Sequence, residues 1–298
     1  MSSETLSTSS CNICKREEVT ETQVDWERVL ARCVENVKDH IQPILTTLRK
    51  PQPDLGVGAG GDKMKLVDIV AEKAIVETLR QSDLSFTLVS EESGIQKYGA
   101  APDDCFVTVD PIDGTTNFVR RLPFYCTSIA VSDKPILSSV FAACVTDLYH
   151  GVTYMAFEGK SQAVRNGEGI KPSSSAALDE AVVGVDLNTY EMKAATSQLE
   201  RLLHETKHIR HFGANALELC YVAEGLTDAF VDIRGKLRTT DVAAGFFILK
   251  KAGGLVTSPE GEPVDSVLDP KQTVKFVASG NGEIHNELLN LLTIERKI

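Results

Sequence analysis

Apolar residues recur at three- and four-residue steps through Val24, Val29, Leu30, Val34, Val37, Ile41, Ile44, Leu45 and Leu48, the spacing of one buried helix face. This predicts a long amphipathic helix that starts near Thr22 and stops before Pro51 and Pro53, since proline removes a backbone donor and disfavours helix in the residue before it. Trp26, the single tryptophan, lies on this helix and is expected in the core. Leu66, Ile69, Val70, Ala74 and Leu79 predict a second helix. The pattern then changes to apolar runs at 86–89, 106–109, 125–131, 136–145 and 152–157, separated by turn-type residues; these read as strands. Further on, short strands at 182–185, 229–233 and 274–278 alternate with helices near 194–205, 215–224 and 242–252.

Strands gathered first and mixed with helices afterwards predict a layered α/β architecture with a mixed sheet and a smaller second half. The expected divisions are a leader over 1–21, an N-terminal α+β half over 22–180 that carries most of the candidate ligands, and a C-terminal α/β half over 181–298. The leader is rich in Ser, Thr and Glu and shows no sustained apolar period, so it reads as flexible.

Charge narrows the partners. The chain has 31 Lys and Arg against 42 Asp and Glu, a net charge of −11, which repels phosphate backbones and argues against nucleic acid; any anionic substrate must be met by local positive charge. No run approaches a membrane span and the start lacks the apolar core of a secretion signal, so no membrane partner is expected and the expected compartment is cytoplasmic. Seven scattered cysteines read as reduced thiols rather than a disulfide framework. Cys11 and Cys14 form one C-x-x-C, but no second pair accompanies it, so zinc is not expected there.

Acidic residues interrupt the apolar pattern at Glu91-Glu92-Ser93-Gly94, at Asp110-Pro111-Ile112-Asp113-Gly114-Thr115-Thr116-Asn117 and at Thr240-Asp241-Val242-Ala243-Ala244-Gly245. The first two follow strands directly, so their carboxylates emerge at strand C-terminal ends, where open α/β sheets place their sites. Carboxylates gathered without a basic partner repel one another, and a hard divalent cation offsets them. Asp110 and Asp113, separated by a proline turn, suit one centre with the Ile112 carbonyl as a neutral ligand between them, and two ions sharing Asp110 would clamp an in-line phosphoryl displacement. Gly114, Thr115 and Thr116 read as a helix start whose N–H groups receive a phosphate, with the Thr115 hydroxyl placed to hold the attacking water. Gly56 to Gly61 contain a formal G-x-G-x-x-G but follow Lys50-Pro51-Gln52-Pro53-Asp54 rather than a strand. That rejects a dinucleotide fingerprint in favour of a mobile loop. The six histidines show no metal-ligand spacing.

The nine residues from Asp110 to Phe118, the preceding Glu91-Glu92-Ser93-Gly94 and the run from Asp241 to Gly254 together resemble the inositol monophosphatase family of Mg²⁺-dependent, lithium-sensitive phosphatases. The similarity extends from about residue 25 to 290, and the stretches 58–72 and 228–245 look more like the archaeal-type branch, which is similar to both inositol monophosphatase and fructose-1,6-bisphosphatase. The resemblance implies a layered αβαβα sugar-phosphatase fold with mixed sheets, usually a homodimer. It also implies hydrolysis of a small-molecule phosphate ester with two or three Mg²⁺ ions, for which Mn²⁺ substitutes. Carried over by position, Glu91, Asp110, the Ile112 carbonyl, Asp113 and Asp241 match metal ligands. Asp68 matches an acid near the mobile loop and a weaker third metal; Glu91 and Thr115 match the residues that orient water, and Gly114 and Thr115 those that bind phosphate. Two departures stand out. Thr240 replaces a Trp found in many members, and it or Thr239 reads as a helix N-cap that leaves Asp241 in the first turn; Met64 stands where the archaeal-type pattern commonly has Thr.

Asp232 lies where the family places an acid that contacts substrate hydroxyls, a role suited to an acceptor-only carboxylate. Arg234, two residues on, is expected to leave the same face of the strand and to receive a second phosphate through its bidentate fork. Lys236, Arg238, Arg120 and Arg121 are the other nearby cations. Fructose 1,6-bisphosphate, cleaved at C1, and inositol 1-phosphate are therefore the expected substrates. The competing readings are a 3′(2′),5′-bisphosphate nucleotidase on the same metal site, and a non-catalytic sugar-phosphate-binding regulator. Glu92 is expected only to shape the site, and Asn215 to be a plain N-cap.

Overall fold

The structure, a computed structural model, describes residues 24–47, 55–174, 178–187 and 196–293. The expected leader with Cys11 and Cys14, and the end of the first helix at Leu48, lie outside them. Helix α1 (Trp26–Thr47) and α2 (Leu66–Gln81) bury the apolar face read from the sequence: Leu30, Val34, Val37 and Ile41 pack with Ala71, Ile75 and Leu79. Trp26 is half-buried against Phe141.

These helices cover one face of an eight-stranded sheet formed by β1 (Phe86–Ser90), β2 (Gly94–Tyr98), β3 (Phe106–Asp113), β4 (Cys126–Ser132), β5 (Val140–Asp147), β6 (Val152–Phe157), β7 (Val164–Arg165) and β8 (Glu168–Gly169). The order is β2-β1-β3-β4-β5-β6-β7-β8; β1 and β3 run parallel and the remaining pairs are antiparallel. Alternate residues of β4 and β5 face opposite ways, as the two-residue strand period requires. Ile129, Val131, Ala142 and Cys144 meet α1 and α2, whereas Ala130, Ala143 and Val145 point to the other side.

On that other side lie α5 (Asn215–Glu224) and α6 (Thr239–Ala252), both nearly enclosed. Being apolar all round is what permits a helix to sit between two sheets. The second sheet comprises β9 (Val182–Val185), β10 (His208–Arg210), β11 (Ala229–Arg238), β12 (Leu255–Thr257) and β13 (Thr273–Ser279), in the order β10-β9-β11-β13-β12. Phe230, Phe276 and Ala278 face α5 and α6; Val183, Val185, Val231 and Val277 face α4 (Thr196–Glu205) and α7 (Gly282–Leu292). The layering is therefore αβαβα with two mixed sheets. No helix among the described residues is long and apolar enough to cross a membrane.

Four local readings change. The run over 136–145 is a 3₁₀ turn, Leu137–Ser139, followed by β5, because Ser138 and Ser139 bond to Asp265 and Lys134 instead of continuing a ladder. β11 continues to Arg238, past an irregularity in its pairing with β13 between Asp232 and Leu237. Helix α6 starts at Thr239, so the N-cap position belongs to Arg238 and neither Thr239 nor Thr240 holds it; Thr239 Oγ1 instead donates to the Asp269 carbonyl at 3.0 Å. Ala214, not Asn215, precedes the first turn of α5.

Candidate active site

The parallel register of β1 and β3 pairs Ser90 with Val109, so Glu91, the next residue, leaves β1 beside Asp110. Along β3, Asp110 pairs with Ser128 and Asp113 with Cys126 of β4. Three steps on one strand thus match two on the other, a bulge of one residue at Pro111-Ile112. In a regular strand, residues three apart face opposite sides; the inserted residue brings Asp113 back to the side of Asp110.

Asp241 arrives from the first turn of α6, where its Oδ2 accepts from the Arg238 N–H at 2.8 Å. One carboxylate oxygen each from Glu91, Asp110 and Asp241 lie within 4.8 Å of one another. Burial raises the pKa of all three, and mutual repulsion raises those of Glu91 and Asp110 further, Glu91 reaching about 9. The Arg238 guanidinium works against this rise at each of them.

Asp113 stands just outside this triad. Its Oδ2 accepts from the Ala216 N–H in the first turn of α5 at 2.6 Å and from the Cys126 thiol at 3.6 Å, while burial pushes its pKa up to about 7. The Thr115 hydroxyl is within bonding distance of two acceptors, Asp68 Oδ1 at 3.1 Å and the Ile112 carbonyl at 2.9 Å. Asp68 itself sits in the first turn of α2, where its Oδ2 accepts from the Lys65 N–H at 3.0 Å; burial lifts its pKa to about 6. Gly114 opens the short helix α3 (Thr115–Arg120) with φ +86°. A Cβ there would lie 3.1 Å from the Gly213 and Phe124 carbonyls, so glycine is required on both counts.

Asp68, Glu91, Asp110, Ile112, Asp113, Gly114, Thr115, Arg238 and Asp241 all line one cleft of about 1050 Å³. Its far wall departs from the sequence reading. Asp232 is buried and is not on the cleft surface; Arg234 Nε and Nη2 donate to its two oxygens at 3.0 and 2.8 Å. Arg234 does line the cleft, but its Nη2 is also 2.5 Å from Asp186 Oδ2, so the guanidinium lies between two carboxylates. The shared strand face was read correctly. What the sequence did not reveal is Asp186, which meets Arg234 from β9's end, so that the guanidinium bridges two carboxylates while lining the cleft. Arg120 and Arg121 are not on the cleft wall; Arg121 donates to the Leu45 carbonyl.

Residues 16–295 match the Inositol monophosphatase family. The chain belongs to this family. It is 34% identical over 278 residues to the fructose-1,6-bisphosphatase/inositol-1-monophosphatase of Methanothermobacter thermautotrophicus, a match covering 90% of this chain and 97% of the relative. With the enzyme of the same description from Archaeoglobus fulgidus it shares 38% over 249 residues, 82% of this chain and 90% of the other. Among solved structures it is similar to an inositol monophosphatase-fructose 1,6 bisphosphatase, with a TM-score of 0.79, 27% identity and coverage of 90% and 100%. It is also similar to the Thermotoga maritima IMPase, with a TM-score of 0.73, 30% identity and coverage of 90% and 97%. Family membership makes the chain a phosphatase, that is, a phosphoric monoester hydrolase of a metal-dependent family.

Within this inositol monophosphatase family member, the structure gathers Glu91, Asp110, Ile112, Asp113, Gly114, Thr115, Asp68 and Asp241 on one cleft, and adds Asp186 and Arg238. Arg238 was read only as a neighbouring cation. The sequence offers no signal for it, since the N-cap reads there as Thr239 or Thr240; the structure gives that position to Arg238, whose side chain lies beside the first helical turn.

Proposed function

We propose that the chain is a Mg²⁺-dependent phosphomonoesterase acting on a sugar or cyclitol phosphate, with fructose 1,6-bisphosphate (at C1) and inositol 1-phosphate as the candidate substrates. The observation that carries this reading is the meeting of the half-buried Glu91 and the buried Asp110 and Asp241 carboxylates with the Thr115–Asp68 pair and the first turn of α3 in one cleft. The donor set fits a hard divalent cation: every ligating group is oxygen, and burial and repulsion raise the proton affinity of the acids in the absence of one. Glu91, Asp110, Asp113, Asp241 and the Ile112 carbonyl would hold it. Bound there, the ion supplies charge stabilisation for the transferring phosphoryl group and lowers the pKa of water.

The chain's own residues supply the rest. Thr115 donates its hydroxyl proton to Asp68, which leaves the oxygen's lone pairs able to accept from a water in the cleft. Asp68, with its pKa near 6, is suited to take up a proton as general base. First-turn N–H groups of α3, which have no intrahelical acceptor, receive the phosphate. Besides Arg234, which is held between Asp186 and Asp232, the exposed Lys63, Lys236 and Lys271 line the same cleft and are the further cations that a second phosphate would meet.

The test is Mg²⁺-dependent phosphate release from fructose 1,6-bisphosphate, inositol 1-phosphate and adenosine 3′,5′-bisphosphate, compared by kcat/KM. Preference for the first two is expected. Dominance of the nucleotide would transfer the chain to the nucleotidase class, and no release from any of them would overturn the enzymatic reading of the site.

A further inference from the structure

Arg238 has more carboxylates around it than an N-cap residue needs. Its Nη2 lies 2.8 Å from Glu91 Oε1 and 2.8 Å from Asp62 Oδ2, and its Nε lies 3.5 Å from Asp241 Oδ2. Two of these acids belong to the triad; the third sits on the glycine loop ahead of α2. The remaining nitrogen, Nη1, is buried without a hydrogen-bond partner and lies under the loop, where a Cβ on Gly60 would come within 2.1 Å of it. The loop is laid over the guanidinium by two backbone bonds, Ala59 N–H to the Glu92 carbonyl at 2.9 Å and Gly60 N–H to the Glu91 carbonyl at 2.8 Å.

We propose that Arg238 is the resident cation of the metal-free site, pairing with Glu91, Asp241 and the loop acid Asp62, and that it gives up Glu91 when a divalent ion binds. The inference rests on the metal-binding reading of the triad. A buried cluster of three acids without any counter-charge would be strongly destabilised, and a guanidinium offers several donors at fixed angles to hold them. Burial alone would favour loss of its proton, but Asp241, Glu91, Asp62 and Asp110 more than offset that and keep it charged. Arginine and metal then compete for the same Glu91 oxygen. The protein folds around its acids before the ion arrives, and the loop is anchored in the same state.

Competition has a signature that a structural pin lacks: the stabilities contributed by Arg238 and by the ion are less than additive. The experiment uses the full chain and Arg238→Met, with Arg238→Lys as the more conservative variant should the first fail to fold. Mn²⁺ affinity is measured by electron paramagnetic resonance and melting temperature with and without Mn²⁺. The expected result is about tenfold tighter Mn²⁺ binding in the variants, within the usual range of coupling between sites. Their melting point should fall more in metal-free buffer than in Mn²⁺. Equal falls in both buffers with unchanged affinity would make Arg238 a structural pin and overturn the proposal, as would weaker Mn²⁺ binding. Failure of native and variant proteins alike to bind Mn²⁺ would overturn both this proposal and the metal site beneath it.

Discussion

Replacing Gly60 by alanine tests whether the glycine loop is held closed over the acids. The added methyl would lie 2.1 Å from Arg238 Nη1 and 2.9 Å from Glu91 Cγ, closer than carbon atoms pack. Either the guanidinium leaves its carboxylates or the loop lifts. Lifting removes the two backbone bonds from Ala59 and Gly60 to the carbonyls of Glu92 and Glu91. At about 1 kcal/mol net for each hydrogen bond, the closed state loses about 2 kcal/mol, or about thirtyfold in its population relative to open states. Gly60, Asp62, Lys63 and Lys65 all line the cleft, so the substrate side of the site opens with it. Amide hydrogen exchange over 56–65, with kcat/KM for phosphate release, reads both ends of the argument. Faster exchange at residues 59 and 60 and a fall in kcat/KM are expected. Exchange and turnover both equal to those of the native chain would refute the claim that glycine at 60 holds the loop down.

Three further outcomes are expected. Asp113→Asn keeps an acceptor for the Ala216 N–H but loses a negative charge at the metal site, so metal-dependent turnover should be lost while circular dichroism is unchanged; near-native rates would remove Asp113 from the ligands. Glu218, buried in α5, accepts from the Phe212 and Gly213 N–H groups through Oε1, leaving Oε2 without a partner, and burial pushes its pKa up to about 8 from an ordinary 4.5. Between these values the folded chain keeps a proton that the unfolded chain releases, so stability falls as pH rises from about 5 to 8. Glu218→Gln should flatten that fall in urea melts and gain about 2–4 kcal/mol at pH 9; an unaltered slope would contradict a protonated Glu218. Arg234→Met removes the guanidinium that bridges the buried Asp186 and Asp232, which should destabilise the fold by about 3–5 kcal/mol; a change confined to KM would return Arg234 to the substrate.

The β3 motif was legible because it is local. Its strand, turn and helix start lie within a dozen residues, and the acids announce themselves by breaking an apolar run. The strands at 152–157 and 182–185 and the helix at 215–224 were found with their observed bounds, since each is an apolar run closed by turn residues. β2 was not, because it is an edge strand whose Gln96 and Lys97 are exposed. α7 was missed despite Asn281, whose side chain accepts from the Glu283 and Ile284 N–H groups. The far wall of the cleft was illegible for a different reason. Asp186 meets Arg234 only because β9 pairs with β11, and Asp62 meets Arg238 across 176 positions of chain; no spacing rule reports a contact made by tertiary packing.

The close crossing of α5 and α6 ties chemistry to architecture. A methyl on Gly245 would come within 2.8 Å of the Leu219 side chain, and the two helices so pressed together carry, at their first turns, Asp241 and the N–H that anchors Asp113. Any substitution that thickens this innermost layer displaces both carboxylates at once. The reaction centre is thus bound to the least alterable part of the molecule, while the exposed lysines of the cleft wall, Lys63, Lys236 and Lys271, can be exchanged without repacking it. New phosphate esters can be recruited at that outer rim while the hydrolytic core stays as it is.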